Sequence, residues 1–409
     1  MIALSLDEVA ELAPGRLEQA PWADRVTGLQ TDSRRVEEGD LFVAVGGGAD
    51  FVKHAFARGA AAALVPDDAF AGLAALAGRV RNRSPARFVA ITGSMGKTST
   101  KDILAALCAP QRRTVAAERS YNAEIGVPLT IGRVEPDTEI CILELAMRGF
   151  GQIAELCAFA RPDLGVITNV GPVHLEKVGD LDGVIRAKSE LIDALPPAGT
   201  AVVPAGFPIE RSDLDVVRVG LDTTIESFEP PVLTTSLGRL EVDFTARHLV
   251  GNALTALTAA YALGLTVPER LEVEFTEWRN QELPLPGGGV VVNDAWNANP
   301  VSIRAALEHL VALAGGRRTV AVLGDMAELG AYSEEGHREV GRVVEELAID
   351  EVVAIGPHAH AYGGRHVDTV EEAVALLDEL LQPGDCVLVK GARAMGLERV
   401  AEALTAVRS

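Results

Sequence analysis

Short apolar runs, each closed by glycine, proline or a polar cluster, alternate along this chain with longer stretches whose apolar residues recur every three or four positions. The first pattern is that of strands buried on both faces, the second that of amphipathic helices. Strand-like runs are found at 40–45, ending in Gly46-Gly47-Gly48, at 62–65 before Pro66, at 88–91, 141–145, 165–170, 290–292, 319–323, 352–356 and 386–389. Helical spacing marks Leu6–Leu12, 51–63, a segment from Ile103, 182–195, 246–263 and a segment from Val301. Strand–helix alternation predicts parallel sheets covered by helices on both faces, with ligands at the carboxyl ends of the strands. Polar or glycine-rich stretches at 82–85 and 283–289 read as linkers, and TDSRR at 31–35 reads as a polar turn. The fold class expected is α/β in three units, 1–85, 86–283 and 284–409. Between 205 and 245 the pattern is thin and supports only short strands. No short-period repeat or low-complexity tract interrupts it.

Composition narrows the class. The 409 residues are 48% apolar and 4% aromatic, which suits an enzyme core rich in Ala, Val and Leu. A net charge of −21 speaks against general nucleic-acid binding, which needs a basic surface. An anionic ligand would need a local pocket of cations and backbone donors. Cys108, Cys141, Cys157 and Cys386 are scattered without metal spacing, so buried free thiols in a reducing cytoplasm are expected. The first fifteen residues lack the basic and apolar pattern of a signal peptide, and no run approaches about 20 apolar residues, so no membrane span is expected.

The stretch with the clearest chemistry is AITGSMGKTSTKD, 90–102. An apolar run enters a turn bracketed by Gly93 and Gly96, with Ser94 and Met95 between them, and Lys97, Thr98 and Ser99 follow. Glycines let backbone N–H groups approach phosphates, a helix N-terminus adds positive potential, lysine meets the terminal phosphates and a Thr hydroxyl can ligate Mg²⁺. The general phosphate-loop pattern would place glycine at position 91, where this chain has Ile91, so a shorter TGxxGKT form applies. The ordinary alternative is a plain glycine turn between strand and helix. Taken singly, Glu144 reads equally as a solvent-facing strand residue or a metal ligand, His174 as a structural histidine, and Lys188 as a solvated surface lysine.

Together, TGSMGKTSTK (92–101), SYNAEIGVPLTI (120–131), ILELAMRGFGQIAEL (142–156), ITNVGPVHLE (167–176), AKSEL (187–191), NDAWNANPVSIRAAL (293–307), VLGDMAELG (322–330) and VLVKGARAM (387–395) occur in an order that resembles the Mur ligases. DSRRVEEGDLFVAVGG at 32–47 extends the resemblance to nearly the whole chain. It implies a UDP-sugar-binding N-terminal domain, a central P-loop ATPase domain and a C-terminal Rossmann-like domain. It also implies ATP and Mg²⁺ as cofactors, and a cytoplasmic, monomeric ligase of peptidoglycan precursor synthesis. UDP-MurNAc-tripeptide and D-Ala-D-Ala would be its substrates, joined through an acyl phosphate. Lys97 matches the phosphate-loop lysine, Thr98 and Glu144 match Mg²⁺ ligands, and His174 matches a ligand of a second Mg²⁺. Lys188, 14 residues after His174, falls where the family carries a carbamylated lysine. Asn252, Arg279, Asp294, Asn297 and Asn299 match nucleotide-binding positions, while Ser33, Arg34 and Asn122 match positions associated with the UDP-sugar.

The chain departs from the family in places. Trp296 stands where tyrosine is common, Ala123 removes one amide from the 122–126 motif, and Ala392 replaces serine after Lys390-Gly391. The N-terminal Asp-Gly-His element has only Asp50 to His54 as a rough counterpart, and 205–245 is short. Alternatives therefore include a family ligase with a different amine or carboxylate acceptor, a non-catalytic nucleotide-binding relative, and a P-loop NTPase switch.

Overall fold

The computed structural model describes residues 1–173 and 175–406. At its centre six strands lie all parallel, in the order Asp215–Val219, Thr200–Pro204, Leu164–Ile167, Arg87–Thr92, Ile140–Glu144, Thr114–Ala116. After Arg87–Thr92 the chain builds on one side, then returns to build on the other. The reversal falls between Arg87–Thr92 and Leu164–Ile167, and doubly wound sheets hold ligands beyond the strand ends at such a switch.

Alternation along each strand feeds two cores. Phe88, Ala90, Cys141 and Leu143 point to one face, while Val89, Ile91, Ile142 and Val166 point to the other. With both faces dry, these strands appear in sequence as continuous apolar runs. The first core continues into the N-terminal unit through Leu4, Leu41 and Leu64. The second is closed by helices Lys97–Cys108 and Arg247–Ala262, which pack against each other. A third sheet, Gln281–Leu285, Gly289–Asn293, Cys386–Lys390, Thr319–Gly324, Glu351–Ile355, Arg365–Val367, is parallel except for its first strand. The N-terminal unit has its own four-stranded mixed sheet.

Several elements differ from the sequence reading. The helical pattern at 51–63 is realised only as Val52–Ala57. Gly59 then turns the chain at φ +107°, where an added Cβ would lie 3.2 Å from the Glu38 backbone. The polar stretch at 82–85 is not a free linker, because Asn82 lies in helix Ala69–Arg83, which is capped by Asp68. The glycine-rich stretch at 283–289 is a hairpin: Gln281–Leu285 pairs antiparallel with Gly289–Asn293, with Gly287 and Gly288 at positive φ in the turn. The third sheet therefore begins upstream of 284. The helix expected from Ile103 starts at Lys97, on the phosphate loop itself. Within 205–245 the structure adds a small antiparallel meander, Ile225–Glu229, Val232–Thr235 and Gly238–Val242. All four cysteines are buried free thiols. Among the described residues no helix is long and apolar enough to cross a membrane.

Candidate active site

The turn after Arg87–Thr92 needs both of its glycines. Gly93 has φ +157°, and a Cβ there would sit 1.9 Å from Thr168 Oγ1. Gly96 has φ +74°, and its Cβ would meet Asn252 Oδ1 at 2.3 Å. Gly96 is the N-cap of helix Lys97–Cys108, and no side chain caps it, so first-turn N–H groups are left for a ligand. The neighbouring strand's exit clamps the turn. Asn169 Oδ1 accepts from Met95 N (2.9 Å), and Ser94 Oγ donates to Gly171 O (3.0 Å) and accepts from Gly171 N (2.8 Å). Lys97 Nζ donates to Gly93 O at 2.7 Å. Burial lowers the Lys97 pKa, Glu144 opposes the shift, and Arg279 adds to it.

One cleft of about 280 Å³ opens over this turn. Ser94, Met95, Gly96, Lys97, Thr98 and Ser99 form one wall, with Asn252 on helix Arg247–Ala262. Asp294, Asn297 and Asn299 complete it from the C-terminal unit, and Arg279 from the segment that leads into that unit. Gly93 shapes the turn without lining the cleft. Asp294 and Lys390 leave adjacent parallel strands side by side, and Lys390 Nζ donates to Asp294 Oδ2 and to Asn297 O (2.9 Å). Burial lowers the pKa of Lys390 and of Arg279, whose Nε has no hydrogen-bond partner among the described residues.

Beside the cleft, Glu144 is fully buried. Its Oε1 accepts from Asn122 Nδ2 at 2.8 Å, while Oε2 has no hydrogen-bond partner among the described residues. Lys188 is 2% exposed, so it is not a solvated surface lysine. Burial, then the charge of Lys97, pushes its pKa well below the ordinary value. Thr98 is buried at the helix start. His174 lies outside the described residues. A buried carboxylate oxygen without a partner among the described residues, close enough to Lys97 to act on its charge, is a hard-oxygen donor of the kind that fits Mg²⁺.

The three positions associated with the UDP-sugar do not converge. Arg34 lines a separate opening between the N-terminal and central units, with Arg35, Arg58 and Arg133. Ser33 is buried, with its Oγ 2.9 Å from His54 Nδ1, so the rough counterpart element is in contact with it. Asn122 serves Glu144 rather than that opening. Sequence reasoning missed Asn169, His248, Asn280 and Lys390, which also line the nucleotide-side cleft. Two had a usable signal: His248 lies four residues before Asn252 on one helix face, and Lys390-Gly391 ends an apolar strand.

Fold and cleft define a phosphate-loop protein of three α/β units whose central and C-terminal units share one binding cleft. Residues 91–260 match the Mur ligase middle domain, and 278–393 match the Mur ligase glutamate ligase domain. A UDP-N-acetylmuramoyl-tripeptide–D-alanyl-D-alanine ligase of Mycobacterium tuberculosis is 33% identical, aligned over 99% of this chain and 98% of its own. The enzyme of the same name from Escherichia coli is 31% identical over 99% of each. Among solved structures, MurF from Acinetobacter baumannii superposes with a TM-score of 0.84 at 27% identity, covering 98% of this chain and 99% of its own. MurF from Thermotoga maritima in complex with ADP gives 0.79 at 28% identity, covering 93% and 97%. The chain belongs to the Mur ligase family.

Proposed function

We propose that this protein is the ATP-dependent ligase that adds D-Ala-D-Ala to UDP-MurNAc-tripeptide in peptidoglycan precursor synthesis. One observation carries the reading: the phosphate loop, Asn252, Arg279, Asp294, Asn297 and Asn299 line a single cleft beside the buried Glu144. The full-length likeness to ligases of that name supports the substrates. Within it, the terminal carboxylate of the tripeptide attacks the γ-phosphate, giving an acyl phosphate and ADP. The amine of the dipeptide then attacks the carbonyl, and phosphate leaves. Phosphoryl transfer is mostly positioning and charge neutralisation, which Lys97 and Arg279 supply from opposite walls. Glu144 and Thr98 would hold one Mg²⁺, His174 and Lys188 a second. Bound there, magnesium neutralises charge on the phosphates and the attacking carboxylate. Lys188 is buried near the charge of Lys97 and is costly to keep as a cation there. Addition of CO₂ to its neutral amine, with loss of a proton, would turn it into an oxygen donor. Arg34, beside Arg35 and Arg58, is the side chain we assign to the nucleotide-sugar end of the acceptor. We assign 1–85 to that acceptor and the remainder to ATP and amine, with the second boundary just before Gln281–Leu285. The same reading takes the protein to be a cytoplasmic monomer.

The test is phosphate release from ATP and Mg²⁺ with the two substrates supplied separately and together. Release only with both, and a product heavier by the dipeptide, is expected. Release with neither would favour an NTPase. Silence throughout would send the search to other carboxylate and amine pairs.

A further inference from the structure

Arg279 enters the cleft from a backbone that cannot hold its shape unaided. On either side of it, Trp278 and Asn280 have φ of +61° and +51°; asparagine tolerates this region, but a residue as bulky as tryptophan enters it only where its surroundings enforce it. Part of the enforcement is polar. Trp296 N donates to Trp278 O at 3.3 Å, and Asn280 N donates to Asp294 Oδ1 at 3.2 Å. The rest is a stack. The indoles of Trp278 and Trp296 lie 5.9 Å apart with planes 23° from parallel. The Arg393 guanidinium sits 4.5 Å from the centre of the Trp278 ring and 5.4 Å from that of Trp296. The guanidinium of Arg279 itself lies 5.5 Å from the Trp296 ring. Arg393 is held in turn by Glu398, at 2.8 Å, and it does not line the cleft.

We propose that Arg393 is a positioning residue for the ligase reaction. Its charge holds the two stacked indoles, and with them the backbone at 278–280, so that Arg279 points at the transferring phosphate. The inference rests on the ligase reading above. A cation on an aromatic face is attracted by the ring quadrupole, and two indoles share this one. Trp296, in place of the family's usual tyrosine, gives the stack its second indole.

Arg393→Met keeps the length of the side chain and removes the charge. A fall in kcat of about five- to tenfold, with KM for ATP nearly unchanged, is expected, because the lost interaction matters only in the transition state. Arg393→Lys, which keeps a charge, recovers part of the rate. In an Arg279→Ala background Arg393→Met causes no further loss, since residues acting through one another are non-additive. A merely structural role would give the same factor in both backgrounds, and that result, or wild-type kcat in Arg393→Met, overturns the proposal. A second readout needs no turnover. With the exposed Trp22 replaced by Phe, tryptophan emission reports Trp278 and Trp296 alone. Adding ATP is expected to shift that emission, and Arg393→Met to abolish the shift; an unaltered shift overturns the proposal. If the unsubstituted protein shows no ligation, the ligase reading fails, while the emission experiment still judges the stack.

Discussion

At the scale of single residues, the site concentrates buried cations. Lys97, Lys188, Arg279 and Lys390 all have lowered pKa values because burial disfavours their charge. Lys97→Ala is expected to lower kcat by about a hundredfold or more while far-ultraviolet circular dichroism stays unchanged; turnover near the wild-type rate would remove Lys97 from the chemistry. His248 makes a second test. Burial holds its pKa at about 4 against an ordinary 6.5. The unfolded chain therefore takes up a proton that the folded protein refuses. The contribution to stability is full above the unfolded pKa and declines as pH falls towards about 4. The slope from this one group is at most about 1.4 kcal/mol per pH unit. Urea unfolding at neutral pH and at about pH 5.5 should show that loss, and His248→Gln should make it smaller.

At the scale of elements, helix termini carry the site. Helix Lys97–Cys108 offers its start to the phosphate loop and grips the approach to Arg279 further along. Asp102 pairs with Lys101 at 2.6 Å and accepts from Thr276 N at 2.9 Å. Loop and arginine are thus fastened to one rod. Helix Pro300–Ala314 opens with a reciprocal cap, in which Asn299 Oδ1 accepts from Ser302 N (2.9 Å) and Ser302 Oγ accepts from Asn299 N (3.0 Å). Asn299 therefore has a structural duty as well as its place in the cleft. Asn299→Ala is expected to cost about 1 kcal/mol of stability, whereas Asn299→Ser, itself a good cap, keeps it. If Asn299 also holds nucleotide, the serine variant raises KM for ATP at unchanged melting temperature. An unchanged KM would leave it a cap alone.

At the scale of the whole molecule, the cleft exists only where two units meet. Arg148 of the central unit pairs with Glu328 at 3.4 Å, and Gly330 approaches Glu176 so closely that a Cβ would lie 3.1 Å from it. The segment carrying Glu328 is pinned by His337, whose Nε2 accepts from Met326 N (3.1 Å) while Nδ1 donates to Ser333 O (2.6 Å). Burial lowers the His337 pKa, which favours the neutral ring that this pairing requires. A nucleotide that touches both walls stabilises their meeting by mass action, about 2.7 kcal/mol at a hundredfold excess over Kd. ADP with Mg²⁺ is therefore expected to raise the melting temperature and to slow proteolysis around 276–280. Protection confined to the central unit would mean that the C-terminal wall does not engage the nucleotide.

What local patterning settles on its own is the succession of elements and the phosphate loop. Periods of two and of 3.6 residues are properties of neighbouring positions, and the turn's need for glycine at 93 and 96 is likewise local. Arg87–Thr92, Ile140–Glu144 and Arg247–Ala262 were legible for that reason. Helix Ala69–Arg83 was not, because its runs of alanine and glycine give little contrast between faces. The hairpin at 281–293 resembled a linker because prolines and glycines serve a tight turn beside an edge strand as readily as a tether. Resemblance to a family could name Arg279, Asp294 and Asn299, but their meeting with Lys97 depends on how two sheets dock, about 200 residues apart in sequence. The partner of Asn122, the pairing of Lys390 with Asp294, and the left-handed backbone at Trp278 and Asn280 are likewise tertiary facts. Each is set by close packing across elements, where a contact of a few ångströms decides which side chain meets which, and no window of neighbouring residues contains both partners.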